Sequence, residues 1–229
     1  MKILIESNRL REMNKVITTH QYLSEYPIRS ESEKLIVGTI HPHDVMRFEL
    51  PFFYGNVSTL WRLLSDAFPE KLPKPLTMQK ILNFLHKSKI AVSDTIVKCE
   101  RTSSSAFDRD LIPIDLNTRI VKDIENSNIT EVLFTSGFGK HSAFRLFYSN
   151  ILGKRLSNDI IQKREVKLNA GDVFGRPVLL KVLYSPSGAA NVGISRSKAY
   201  LQNKHKYAHT KRPVYHFKVD HYREMFALE

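Results

Sequence analysis

What most constrains this chain is a set of short apolar runs, each closed by small or polar residues and separated from the next by helical spacing. Leu35-Ile36-Val37 stops at Gly38, and Thr95-Ile96-Val97 lies between Asp94 and Cys99. Residues 131–135 (EVLFT) run into Ser136-Gly137, and 178–184 (VLLKVLY) run into Ser185. Such runs lack the polar alternation of a half-exposed strand, so they read as strands buried on both faces of a parallel sheet. Between them, Leu60, Trp61, Leu63 and Leu64 recur at helical spacing, as do Met78, Ile81, Leu82 and Leu85 behind Thr77, a natural N-cap. Two more helices are expected near 118–126 and 141–152. Strands alternating with helices predict an α/β fold, a three-layer α/β/α sandwich around four parallel strands.

The ends are read by the same rules. Leu10, Met13, Val16 and Ile17 suggest a helix within residues 1–30, closed by Pro27. The stretch between Leu152 and Val178 reads as a basic, irregular insert, and 214–228 (VYHFKVDHYREMFAL) as a last strand and helix. With 229 residues, 42% of them apolar, the chain supports one core, hence a single domain over 1–229.

No run approaches the roughly 18 apolar residues of a membrane span, so no membrane partner is expected. The single cysteine, Cys99, suits a reducing compartment, and the expected location is cytoplasmic, on the nucleoid if the source is bacterial. The net charge of +12 points to a polyanion, with nucleic acid first. It is concentrated in the basic C-terminal segment 196–229. Arg196, Lys198, Lys204, Lys206, Lys211 and Arg212 occur there in a stretch without Asp or Glu, interleaved with Tyr200 and Tyr207 as in backbone-binding and single-strand-binding segments.

In an open parallel sheet, ligands are handled beyond the carboxyl ends of the strands. Three such ends, at Gly38, Ser136-Gly137 and Ser185, emerge on one edge. The loop after Gly38 carries His41, Pro42, His43 and Asp44, then Phe52-Phe53-Tyr54, a set able to hold a planar heterocycle. The turn SPSGAAN, with Ser185, Ser187, Gly188 and Asn191, has small residues that admit a close chain and N–H groups that can take a phosphate. SGFGKHS is not a phosphate loop, since Phe134 and His141 occupy two required positions, but Lys140 can sit near an anion. His41/His43 and His205/His209 lack further ligands, and no metal or other cofactor is expected. Ser103 to Ser105 read as loop, and Asp94 and Asp108 as carboxylates that fix loops.

Taken together, the strand ending in Gly38, the loop FFYGN…LW, the second strand followed by CERTSSSAFD, the third ending in SG and the fourth running into SPSG resemble the uracil-DNA glycosylase superfamily. The similarity extends over about residues 34 to 200 and is nearest to the hypoxanthine-DNA glycosylase and mismatch-specific uracil glycosylase branches. The resemblance implies a four-stranded parallel sheet between helices and metal-independent, monofunctional excision of a uracil-like or hypoxanthine-like base. The implied partner is double-stranded DNA carrying a damaged or mismatched base, with no obligate protein partner. It implies a first motif from Gly38 to Asp44, with backbone at Ile40 and His41 binding the base, and a second from Ser185 to Asn191. It also implies that Phe53 stacks on the flipped base, with Tyr54 beside it. The first motif of many members has Asp or Asn where this chain has Ile40. In the hypoxanthine branch an Asn precedes the loop Trp by three residues, which here is Ser58, with Asn56 nearby. Asn56 is therefore the first candidate to orient water, followed by Asp44 and His43. Val192 or Ile194 would be the wedge in the base stack, flanked by Arg196 and Lys198. A catalytically inactive nucleic-acid binder on the same scaffold and an α/β enzyme acting on a free nucleotide are the competing readings.

Overall fold

The computed structural model describes residues 16–56, 59–102 and 108–228. Two sheets organise them. The larger has five strands in the order β3 (Ile90–Asp94), β2 (Lys34–Gly38), β6 (Glu131–Phe134), β8 (Val178–Val182) and β7 (Glu165–Leu168). The first four are mutually parallel, and β7 runs antiparallel along β8 as an edge. The sheet thus has five strands, where four had been expected. The fifth strand lies in the segment read as an irregular insert.

The smaller sheet was not foreseen. It is antiparallel, in the order β1 (Val16–Thr19), β4 (Ile96–Arg101), β5 (Leu111–Leu116). Two expectations are corrected here. Val16 and Ile17 belong to a strand rather than a helix, and residues 1–15 of the expected N-terminal helix lie outside the described residues. The second parallel strand is Ile90–Asp94, one step before the predicted 95–97. Thr95 alone separates it from β4, which carries the chain into the other sheet.

Side-chain alternation along the parallel strands feeds two cores. Ile36 and Leu133 face one side, with α1 (Leu60–Ala67), α2 (Met78–Lys87) and a C-terminal helix, Pro213–Phe226. Leu35, Val37, Val132 and Phe134 face the other, with α3 (Arg119–Glu125), α4 (Ala143–Arg145, continuing as a π-helical turn over Leu146–Ile151) and α5 (Asn158–Lys163). Helices therefore cover both faces, as the unbroken apolar runs require. Thr77 caps α2, accepting the Lys80 N–H at 3.3 Å.

After β8 come α6 (Asn191–Ser195), α7 (Lys198–Asn203) and α8, the helix Pro213–Phe226. Pro213 opens α8 at a position where its missing N–H costs nothing. The tail contains this one helix and no strand, because Phe217, Tyr222 and Phe226 recur at helical spacing on its buried side. Trp61 ties α1 to the aromatic loop: its indole N–H donates to Phe53 O at 2.9 Å and the residue is fully buried. Truncating it would cost about 3–5 kcal/mol.

Candidate active site

Gly38, Asp94, Phe134 and Val182 end the four parallel strands on one edge. There a cleft of about 180 Å³ opens, lined by Thr39 to Pro42, Phe48, Tyr54, Thr59, Asp94, Asp108, Thr135, Ser136 and Ser185 to Ser187. It draws on every strand end singled out in the sequence, and adds two carboxylates.

Asp94 is fixed from several directions. Register pairs Gly38 with Asp94, and the Asp94 carbonyl accepts Asn117 Nδ2 at 2.9 Å. His20 Nε2 lies 2.8 Å from Asp94 Oδ2. The other imidazole nitrogen, Nδ1, accepts the backbone N–H groups of Tyr22 and Leu23 at 3.1 and 3.3 Å. A nitrogen that accepts carries no proton, so the proton resides on Nε2 and is donated to the carboxylate. Strand β1 delivers His20: its own N–H continues the β1–β4 ladder to Val97 O at 2.8 Å, placing the ring where β3 passes into β4.

Gly38 has a steric reason. A Cβ there would lie 2.3 Å from Asp94 Oδ1 and 2.4 Å from the Tyr54 hydroxyl, distances that real contacts do not reach. Tyr54 is itself held in the left-handed region (φ 53°), uncommon for a bulky residue. Its hydroxyl lies 2.7 Å from Thr135 Oγ1, and burial pushes its phenol well up. The turn is closed by Gly55, where a Cβ would strike Leu50 O at 2.2 Å.

Asp108 accepts the Thr39 hydroxyl at 2.8 Å. Burial raises its carboxyl above the ordinary Asp value, with the Asp94 charge adding to the effect, while hydrogen bonds from Thr39 and Ser136 oppose it. His41 is buried and neutral. Nδ1–H donates to Pro42 O at 2.7 Å, Nε2 accepts the Gln21 N–H at 3.1 Å, and burial lowers its pKa. With both nitrogens occupied by the protein, His41 has none to offer a metal. Arg101, 1% exposed, donates to His41 O at 2.7 Å and to Thr18 Oγ1 at 3.3 Å, locking the loop to the smaller sheet.

The expected residues divide. Gly38 underlies the cleft, and Ile40, His41, Tyr54, Ser185 and Ser187 line it. Phe53 does not: it is 1% exposed and packs on Phe52, Tyr22 and His20, because Trp61 draws its carbonyl and the whole turn into the core. The rings on the cleft are those of Phe48 and Tyr54. Asn56, Asp44 and His43 are all exposed and outside the lining; the Asn56 carbonyl accepts from Thr59, and His43 Nδ1 lies 3.3 Å from Thr18 Oγ1. Ser58 lies outside the described residues. Asp94 and Asp108, read as structural, face the cleft. His20 was missed, since its role depends on a strand pairing across the chain.

The basic segment is also resolved into parts. Lys140, Gly188, Arg196, Lys198, Lys204 and Lys206 are exposed, as is Val192 at 63%, on α6 just beyond the cleft; Asn191 is half-buried. Ile194, the other candidate wedge, is 5% exposed and packs with Tyr200, Tyr207 and Phe217. Tyr200 and Tyr207 therefore serve a small core and are not stacking platforms for bases.

No known family model and no curated protein matches the chain. A solution structure from Methanosarcina acetivorans, provisionally described as a uracil DNA glycosylase, is similar to it with a TM-score of 0.47 and 18% identity, over 92% of this chain and 99% of that one.

Proposed function

We propose that this protein is a DNA glycosylase that hydrolyses the N-glycosidic bond of a base rotated out of the duplex. The observation that carries the reading is the convergence of Asp94 and Asp108 in one small cleft, walled by Tyr54 and Phe48 and bordered by the Ser185–Ser187 turn. A cleft of this size takes a single heterocycle. Chemistry on a base in a duplex requires it to leave the stack, at a cost of roughly a few kcal/mol.

In this reading Asp108 and Asp94 have different tasks. Burial raises the Asp108 carboxyl above the ordinary Asp value, and in this reading Asp108 is the group that donates a proton to the departing base. Asp94, oriented by the His20 N–H, positions water and takes its proton. The bond from C1′ to the base nitrogen breaks, the water oxygen bonds to C1′, and the products are free base and an abasic sugar. Backbone groups of Ile40 and His41 bind the base. Exposed Lys198, Lys204 and Lys206 hold phosphates, and Val192 enters the gap in the stack.

The test is single-turnover cleavage of duplexes carrying one uracil, hypoxanthine, xanthine or 5-hydroxymethyluracil, followed by alkali, with wild type and Asp94→Asn. Cleavage by wild type that is lost in the variant supports the reading. Salt-sensitive binding without any cleavage replaces it with the non-catalytic binder, and neither cleavage nor binding removes both.

A further inference from the structure

Beneath the turn that borders the cleft lies a charged group with no part in the chemistry above. Lys218, on α8, is 1% exposed, and its Nζ donates to three successive carbonyls: Ser185 at 3.4 Å, Pro186 at 3.0 Å and Ser187 at 3.2 Å. Among the described residues no carboxylate forms an ion pair with it. Consecutive carbonyls in extended chain point in alternating directions. Bringing three of them to one point curls the turn and crowds their negative ends, so the arrangement needs a cation at its focus. The same three residues line the cleft on their other side.

We propose that Lys218 is the positioning residue of this wall, its ammonium holding the converged carbonyls and thereby setting the surface against which the extruded nucleotide lies. The nucleotide half of this statement rests on the glycosylase reading; the holding of the wall does not.

The wall is consequently sensitive to alkali. An ammonium offers three N–H groups to three carbonyls, whereas a neutral amine offers two and turns a lone pair toward the third. Burial, with Arg212 adding repulsion, brings the Lys218 pKa down to about 8. The groups around it do not change charge there. Arg212 and Arg164 remain guanidinium ions, the latter over the Tyr184 ring at 4.5 Å. His221 is held down at about 4, and burial pushes the Tyr222 phenol far up, its hydroxyl donating to Tyr184 O at 2.9 Å. Asp220 is engaged by Tyr207 and Arg223.

The experiment is an NMR titration of the DNA-free protein from about pH 6.5 to 9.5, following the Lys218 ¹³Cε resonance and the amides of Ser185, Ser187 and Gly188. One shared midpoint near pH 8 is expected in wild type, and its absence in folded Lys218→Met. Loop amides that stay still, that move with a midpoint different from Lys218, or that still titrate in the folded variant each overturn the proposal; the first two need no variant. Single-turnover cleavage by Lys218→Met should fall about ten- to a hundredfold, the scale of a reacting group misplaced by about 1 Å. An unchanged rate with active wild type also overturns the positioning role. If wild type cleaves nothing in the panel, the glycosylase reading fails while the titration still decides Lys218.

Discussion

His20 and Asp94, 74 positions apart in the chain, meet at 2.8 Å between Nε2 and Oδ2 at the floor of the cleft. Each is presented by a different sheet: Asp94 ends a parallel strand, and His20 follows an edge strand of the antiparallel one. Asp94→Asn should therefore keep the fold and lower the single-turnover rate by about 10²–10⁴-fold, the usual range for a positioned proton-transfer group. His20→Phe keeps a ring beside Phe53 and Tyr22 but removes the donor to Asp94. It should reduce the rate less, and lower stability by about 1–3 kcal/mol because Asp94 and two backbone N–H groups lose their partner. Thermal melts and the cleavage assay read the two effects separately, and equal rates for wild type and Asp94→Asn would remove Asp94 from the mechanism.

Asp108 makes a prediction about pH. Its folded-state pKa is raised above the ordinary value of 3.8, so between the two values the folded state holds a proton that the unfolded chain has released. Stability is thus lost as pH rises through that window, and the ionised group remains a burden above it. Asp108→Asn should melt at a higher temperature than wild type at pH 7, with the advantage vanishing below about pH 4. Its cleavage rate should lose the decline toward alkaline pH that a protonated donor imposes.

Gly38→Ala tests the packing of the cleft floor. The added methyl would meet the Asp94 carboxylate and the Tyr54 hydroxyl at 2.3 and 2.4 Å, and neither is the loose end of a flexible chain. A loss of about 1–3 kcal/mol in stability is expected from overpacking, measured by denaturant unfolding, together with loss of cleavage. A variant with wild-type stability would show that the floor yields.

Salt dependence tests the basic face. Lys198, Lys204 and Lys206 are exposed. If each neutralises a phosphate, replacing all three with Gln should reduce the slope of log K against log salt by roughly 3 and weaken binding to any duplex sequence alike. An unchanged slope would place the DNA elsewhere.

The architecture was largely legible because burial on both faces leaves a local mark. Leu35-Ile36-Val37 and EVLF carry no polar alternation, and both are covered parallel strands, whereas the similar run Thr95-Ile96-Val97 opens a strand of the antiparallel sheet. The smaller sheet left a weaker mark. Val16 and Ile17 fit a helical spacing as well as a strand, and only their pairing with Glu100 and Arg101 decides between the two. The segment 90–94 ends in the polar pair Ser93-Asp94 and is less apolar in pattern than the 95–97 run beside it, which is why residue types alone favour the later segment as the parallel strand.

The site divides along the same line. Sequence alone determined which edge carries the cleft, that the loops after Gly38 and Tyr184 border it, and that the chain is strongly basic, because each of these follows from local pattern or from summed charge. Tertiary structure decided which side chains face the cleft. Phe53 was lost to the core once Trp61 bound its carbonyl, and Tyr54 turned toward Thr135 in a left-handed conformation. Asn56 and His43 were left outside, Asp94 and Asp108 were brought in, and His20 and Lys218 came to hold the groups that line the cleft. The direction of a side chain is set by the packing of elements far apart in the sequence, and a linear pattern of residue types does not encode it.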